Sequence, residues 1–146
     1  MKISKKGLDL LKSLEGLRLH SYLCLGNVWT IGWGSTQING IKVKEGDVIS
    51  VDFAEQLLMH DIQRFESLVE TNIKTNLTQN QFDALVIHSF NTGGSETLFD
   101  LINKGESLKK IREWIENTYI SANGKVVKGL ILRRTKEANL FCADIY

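Results

Sequence analysis

The sequence has no proline and only two cysteines, Cys24 and Cys142, among its 146 residues. Without proline, helix ends and turns must rest on glycine, asparagine and capping side chains. Two cysteines cannot build a disulfide framework, and a Cys24–Cys142 bridge is a minor expectation in a chain with no export signal. No apolar run approaches the roughly 18–20 residues a membrane span needs, so no stable membrane insertion is expected. The start, Met1-Lys2-Ile3-Ser4-Lys5-Lys6, is basic but leads into no uninterrupted apolar stretch, and no signal peptide is read. Charge of one sign is also missing, with a formal net charge of +1. What remains, 42% hydrophobic and 24% charged residues, is the make-up of a globule rather than of a disordered or fibrous chain. The length suits one domain.

The neutral total conceals a pattern. Residues 1–44 carry seven basic and two acidic groups, residues 45–83 two basic and eight acidic, and residues 104–146 nine basic and five acidic. Basic ends suit an anionic polymer or surface, although a mixed solvated exterior explains the same counts. Arg133, Arg134 and Lys136 form a basic cluster on a helix, but no nucleic-acid motif accompanies them, and no nucleic-acid partner is expected.

Ser4 is placed to cap a helix in which Leu8, Leu11 and Leu14 recur at helical spacing, with Ile3 stapling onto Leu8. Gly16 ends it directly after Glu15. From Tyr22 to Ile41 the texture changes: Gly26-Asn27 and Asn39-Gly40 are turn pairs, and Trp29, Ile31 and Trp33 alternate with Thr30 and Gly32. This predicts two or three short antiparallel strands. After Ser50 the helical period returns with Ala54, Leu57, Leu58, Ile62, Phe65 and Val69. Thr78 and Gln81 form a capping box before Phe82, Leu85 and Val86, and Asn91-Thr92-Gly93-Gly94 breaks that helix. Gly105 ends a short helix, Ser107 caps one holding Leu108, Ile111, Trp114 and Ile115, and Asn123-Gly124 is a turn. Ile131, Ala138, Cys142 and Ile145 are expected to line one side of a terminal helix. The fold class is therefore α+β, mainly helical, with a small β lobe over about residues 18–50. The helical lobe covers about 51–146 plus the N-terminal helix, all one domain, and the cleft between lobes is the expected substrate site.

Glu15 is the first chemical candidate. It sits at the negative end of a helix dipole, which disfavours the carboxylate, the tendency a general acid requires; a glutamate with no role fits the position too. Cys24 and Thr30 follow nine and fifteen residues later, and a sheet that doubles back brings both near that helix end. Cys24 reads as a nucleophile or base if its thiolate is populated, or else as a small buried hydrophobe. Cys142 reads as core. His20 and Cys24, four apart, suggest a metal pair or a Cys–His dyad, but further ligands at metal spacing are missing. His60 and His88 read as surface or core. Gly32-Trp33-Gly34 lacks the third glycine of a dinucleotide fingerprint, and Trp29 and Trp33 read as core before they read as a sugar platform.

Glu15-Gly16-Leu17-Arg18-Leu19, Tyr22 and Val28-Trp29-Thr30-Ile31-Gly32-Trp33-Gly34 together resemble the active-site segment of the phage-type lysozymes, the glycoside hydrolase family 24 endolysins of lambdoid and related phages. Leu77 to Leu85 followed by Ser89-Phe90-Asn91-Thr92-Gly93 is similar to that family's helix-and-loop motif. Gly129-Leu130, Arg133-Arg134 and Glu137-Ala138 are similar to its C-terminal helix. The three segments run in family order over nearly the whole chain. The resemblance implies a lysozyme-like fold and a catalytic Glu/Asp/Thr set. Glu15 matches the glutamate and Thr30 the threonine, while Cys24 stands at the aspartate position, as in the family's Glu/Cys/Thr versions. Ser35 stands where the family usually has a structural histidine. Phe90 and Asn91 match substrate-cleft residues, though packing and helix capping account for them equally well.

The implied reaction is hydrolysis of the β-1,4 bond between N-acetylmuramic acid and N-acetylglucosamine in peptidoglycan, by a monomer without cofactor or metal. It implies synthesis in the bacterial cytoplasm and action on the cell wall after holin-type release. Two other readings stay open at this point: a peptidoglycan-binding protein whose chemistry is lost through Cys24, and a metal- or thiol-dependent amidase using His20 and Cys24.

Overall fold

The first helix, α1 (Lys5–Glu15), starts where the Ser4 cap puts it, with the Ser4 hydroxyl accepting the Gly7 N–H. The computed structural model describes residues 1–146. Gly16, at φ +71°, returns its N–H to the Lys12 carbonyl and stops the helix immediately after Glu15. Leu11 is fully buried, and Leu8 and Leu14 pack against the same core from half-buried positions. A full turn before Leu11, Gly7 lies so close to the Asp83 carboxyl that a Cβ there would stand 2.6 Å away. That contact brings α1 tight against the central helix.

The expected β piece consists of two hairpins. Strands β1 (Arg18–Leu23) and β2 (Trp29–Gly32) are antiparallel, with Tyr22 opposite Thr30 and Leu23 opposite Trp29. The register shifts between Arg18 and Tyr22, a local bulge. Strands β3 (Gln37–Ile38) and β4 (Ile41–Lys42) turn through Asn39 and Gly40, both at positive φ, as a tight two-residue hairpin requires. The alternation expected through Trp33 stops one residue early. Gly32 turns to φ +67° and ends the strand, and Trp33 is buried beyond it with the Lys12 ammonium 4.8 Å from its ring centroid.

Ser50 caps the long α2 (Val51–Asn72), which buries Ala54, Leu57, Leu58, Ile62 and Val69. Both halves of the Thr78/Gln81 capping box are formed at the start of α3 (Gln79–Thr92). Every residue from Phe82 to Ser89 is buried, so α3 is surrounded on all sides, including at its polar positions Asp83, His88 and Ser89. Helices α4 (Glu96–Asn103) and α5 (Leu108–Asn117) follow, capped by Ser95 and Ser107. A further hairpin, β5 (Ser121–Ala122) with β6 (Lys125–Val126), turns at Asn123-Gly124 and leads into α6 (Lys128–Ala143).

The terminal helix departs from the expected apolar stripe. Ile131 is exposed, and Ile145 lies beyond the helix end and is exposed as well. Its inward face carries Arg133, Arg134 and Glu137 alongside Ala138, Leu140 and Phe141. Charges are tolerated there because they neutralise one another, as described below. Cys142 is half-buried, and neither cysteine is in a disulfide.

One contiguous cluster of 24 buried apolar residues joins the β piece, through Ile31, Trp33, Val43 and Ile49, to the helices. Each fully buried Leu or Ile in it contributes roughly 1.5–3 kcal/mol. The architecture is α+β, with six helices and small antiparallel hairpins.

Candidate active site

Glu15 is presented by the end of α1 into a cleft of about 690 Å³, lined also by Tyr22, Cys24, Asn91, Tyr119 and Arg134. Its side chain is only 15% exposed. The Arg133 guanidinium stands 2.7 Å from Glu15 Oε1, a charge contact whose N–H is not aimed along a hydrogen-bond line. The sequence pointed only to the negative helix end beside Glu15. Arg133 acts in the opposite sense, and the carboxyl sits between the two. A Cβ added to Gly34 would stand 3.7 Å from Glu15 Oε2 and 3.6 Å from the Phe90 ring, and Gly34 holds φ +105°. The glycine is therefore needed for its backbone shape at this end of the site.

Cys24 follows β1 and faces the same cleft. Its backbone closes the turn, the N–H donating to Val28 and the carbonyl accepting from Asn27. Burial pushes the thiol up. Hydrogen bonds from the Val28 and Gly26 backbone, the Thr30 hydroxyl and its own backbone outweigh that, and the thiol lies below its ordinary value. Thr30 is buried behind it, with its hydroxyl donating to the Val28 carbonyl at 2.9 Å while also facing the Cys24 sulfur. Tyr22, directly across the ladder from Thr30, also lines the cleft. Burial and then the Glu15 charge push its phenol up, against Arg18, so at neutral pH it remains a proton-bearing donor. Arg18 stacks over its ring at 4.9 Å.

The opposite wall is a network of buried charge. Arg134 sets its Nη1 against both Glu137 oxygens, at 2.7 and 2.6 Å, donates from Nε to the Tyr119 carbonyl and holds the Asn91 side-chain oxygen through Nη2. Arg133 Nε donates to Glu137 at 3.0 Å while its other end meets Glu15. Glu137 is completed by His88 Nδ1 at 2.8 Å. Burial pushes the Glu137 carboxyl up, but the His88 hydrogen bond and the surrounding charges hold it below the usual carboxylate range. Asn91 thus reaches the cleft from the end of α3 as a braced side chain, and Phe90 packs on Phe65 with ring centroids 5.3 Å apart.

The phage lysozyme family model matches residues 12–137. The chain belongs to the phage lysozyme family. It is 41% identical to the endolysin of Acyrthosiphon pisum secondary endosymbiont phage 1, over 97% of this chain and 98% of that protein. It is 39% identical to the endolysin of Bacillus phage B103, over 97% of this chain but 54% of that longer protein. Among solved structures, the endolysin from Escherichia coli phage FAHEc1 superposes with a TM-score of 0.88 at 35% identity, covering all of this chain and 96% of that one. The muramidase domain of SpmX superposes at 0.79 and 33% identity, over 96% and 97% of the two chains.

Within this lysozyme-family chain the structure brings Glu15, Cys24 and Asn91 to one cleft, with Thr30 behind Cys24 and Phe90 beside Gly34. His20 gains no partner ligands: it is exposed on β1, paired by backbone with Val48, and no group of three or more His, Cys, Asp or Glu is close enough to hold a metal ion. Ser35 keeps a local support of its own, donating to Asp61 at 2.6 Å. His60 and Lys136 are exposed. A second hollow of about 490 Å³ near Met1 and Phe82 contains none of these residues. No helix is long and apolar enough to cross a membrane. In the sequence Arg133 and Arg134 stood out as a basic cluster and within the matched terminal-helix segment, with no role in the site. The signal that places them inward is their spacing with Glu137, Ala138, Leu140 and Phe141 on one helix face.

Proposed function

We propose that this chain is an endolysin of the muramidase type, hydrolysing the β-1,4 bond between N-acetylmuramic acid and N-acetylglucosamine in peptidoglycan. The reading rests on one observation above the rest: Glu15, confined at a helix end against Arg133, shares a single open cleft with the Cys24 thiol in a chain of the phage lysozyme family. Glu15 gives its proton to the glycosidic oxygen as the bond to the departing sugar breaks. The Cys24 thiolate faces the positive charge that develops on the sugar ring, in place of the usual second carboxylate. The Thr30 hydroxyl orients the water whose oxygen joins the anomeric carbon, and the Cys24 thiolate takes the proton that this water gives up. Hydrogen bonds that lower the Cys24 thiol support that role, since only the thiolate carries charge. Phe90 and Asn91 line the path of the glycan. In this reading the chain acts as a monomer. Synthesis in the cytoplasm and release to the wall by a holin-type route complete the reading. No feature of the site favours a protein that binds peptidoglycan without cutting it.

The test is product analysis on purified peptidoglycan. The native chain should release new sugar reducing ends, and Glu15→Gln should release none while folding normally. Free amino termini without reducing ends would point to an amidase instead, and undiminished lysis by the Gln variant would remove Glu15 from the chemistry.

A further inference from the structure

The buried network behind Glu15 contains two groups to which the cleavage reaction gives no task. Glu137 and His88 do not line the cleft and lie on separate helices, yet they meet at 2.8 Å with both side chains almost wholly buried. Glu137 is the hub. Its two oxygens take Arg134 in a pair of bonds, one also takes Arg133 Nε, and the other meets His88. Arg133 is thus shared between two carboxylates, Glu137 at its Nε and Glu15 at its Nη2. The cation Glu15 experiences is one whose charge has already been partly neutralised from behind. His88 adjusts the degree of that neutralisation. Its Nε2 is buried and faces no acceptor, so the ring hydrogen belongs on Nδ1, pointing at Glu137. The imidazole meets Glu137 of α6, which in turn holds Arg133 and Arg134 of the same helix, and the rings of Trp114 and Tyr119 stand 6.0 and 5.9 Å from it.

We propose that Glu137 and His88 are positioning residues for Glu15: together they set the place and the effective charge of the Arg133 guanidinium, and thereby the pH range over which Glu15 can act as an acid. The inference rests on the muramidase reading of Glu15. Removing the Glu137 charge leaves Arg133 unopposed, so Glu15 faces more positive charge and surrenders its proton at lower pH. Removing the His88 donor has the reverse effect. Glu137 then presents an undiluted negative charge to Arg133, and Glu15 faces less positive charge.

The experiment is the pH dependence of kcat for reducing-end release from peptidoglycan. In Glu137→Gln the alkaline limb should move toward acid by about one pH unit. In His88→Leu it should move toward base by a smaller amount. KM should stay within about twofold in both, because neither residue touches the cleft. Damage to the fold does not produce opposite displacements in two variants of one network. An unmoved limb in either variant, or two displacements of the same sign, overturns the proposal. If one variant does not fold, the direction found for the other decides alone. Absence of reducing-end release by the native chain would instead reject the muramidase reading itself, so the two failures are distinguishable.

Discussion

On one side of the cleft, Glu15 and Asn91 are held from behind by arginines that are themselves locked to Glu137, and all three anchors are buried. On the other side, Cys24 rides a turn whose neighbours Leu23, Leu25 and Val28 are exposed, and it is tuned by backbone N–H groups and one hydroxyl. The two walls meet different demands. A proton donor acts through a fixed charge environment, and buried ion pairs with no freedom to reorganise supply one. A group that faces the far side of a sugar needs access, which a short hairpin with an open turn provides. One wall is costly to disturb in stability and the other in activity alone.

That contrast can be broken by substitution. The largest expected effect is on the helical wall. Arg134→Met takes one of the three donors from Glu137 and leaves the Asn91 oxygen and the Tyr119 carbonyl without theirs, and should cost about 3–5 kcal/mol in denaturant unfolding. A loss below about 1 kcal/mol would mean that this wall is not braced by charge. Next comes the thiol. Cys24→Ala should lower turnover about a hundredfold, while its unfolding free energy changes by less than about 1 kcal/mol, and Cys24→Asp should keep substantial activity. An alanine variant as active as the native chain would make the sulfur a bystander. The smallest effect concerns the link between the hairpins, where Asn123 donates across the cleft to the Leu25 carbonyl at 3.2 Å. Asn123→Ala should change stability by less than about 0.5 kcal/mol and turnover by less than threefold or so. A tenfold fall would show that the thiol wall needs fastening after all.

The parts of this molecule readable from sequence are those governed by local chemistry. Ser4, Ser107 and the Thr78/Gln81 box cap helices because their oxygens reach N–H groups two or three residues on, and Gly16 stops α1 because a left-handed φ suits glycine. The cleft residues Glu15, Cys24 and Asn91 followed from their motifs. Partnerships between distant segments were not readable. Arg133, Arg134 and Glu137 have the composition of a solvated face, and only the approach of His88, 49 residues earlier in the chain, and of Glu15 makes burial affordable. The apolar stripe expected on α6 failed for that reason. Trp33 left the strand because Gly32 turned, a backbone choice that alternation cannot reveal. Among the cysteines, only surroundings separate a thiol lowered by backbone donors from Cys142, whose thiol burial pushes up.

Asp83, fully buried at the start of α3, binds the backbone and hydroxyl of Ser4, the Gln79 amide and, at 2.8 Å, the phenol of Tyr146. Ser4, near the start of the chain, and Tyr146, at its end, therefore converge on one carboxylate. Between that knot and Glu15 lies the 11-residue α1, a strut of about 16 Å at 1.5 Å per residue. A tag, linker or wall-anchoring module joined at either terminus would leave from the same corner, a helix length from the groove, and a long glycan strand could thread past without meeting it.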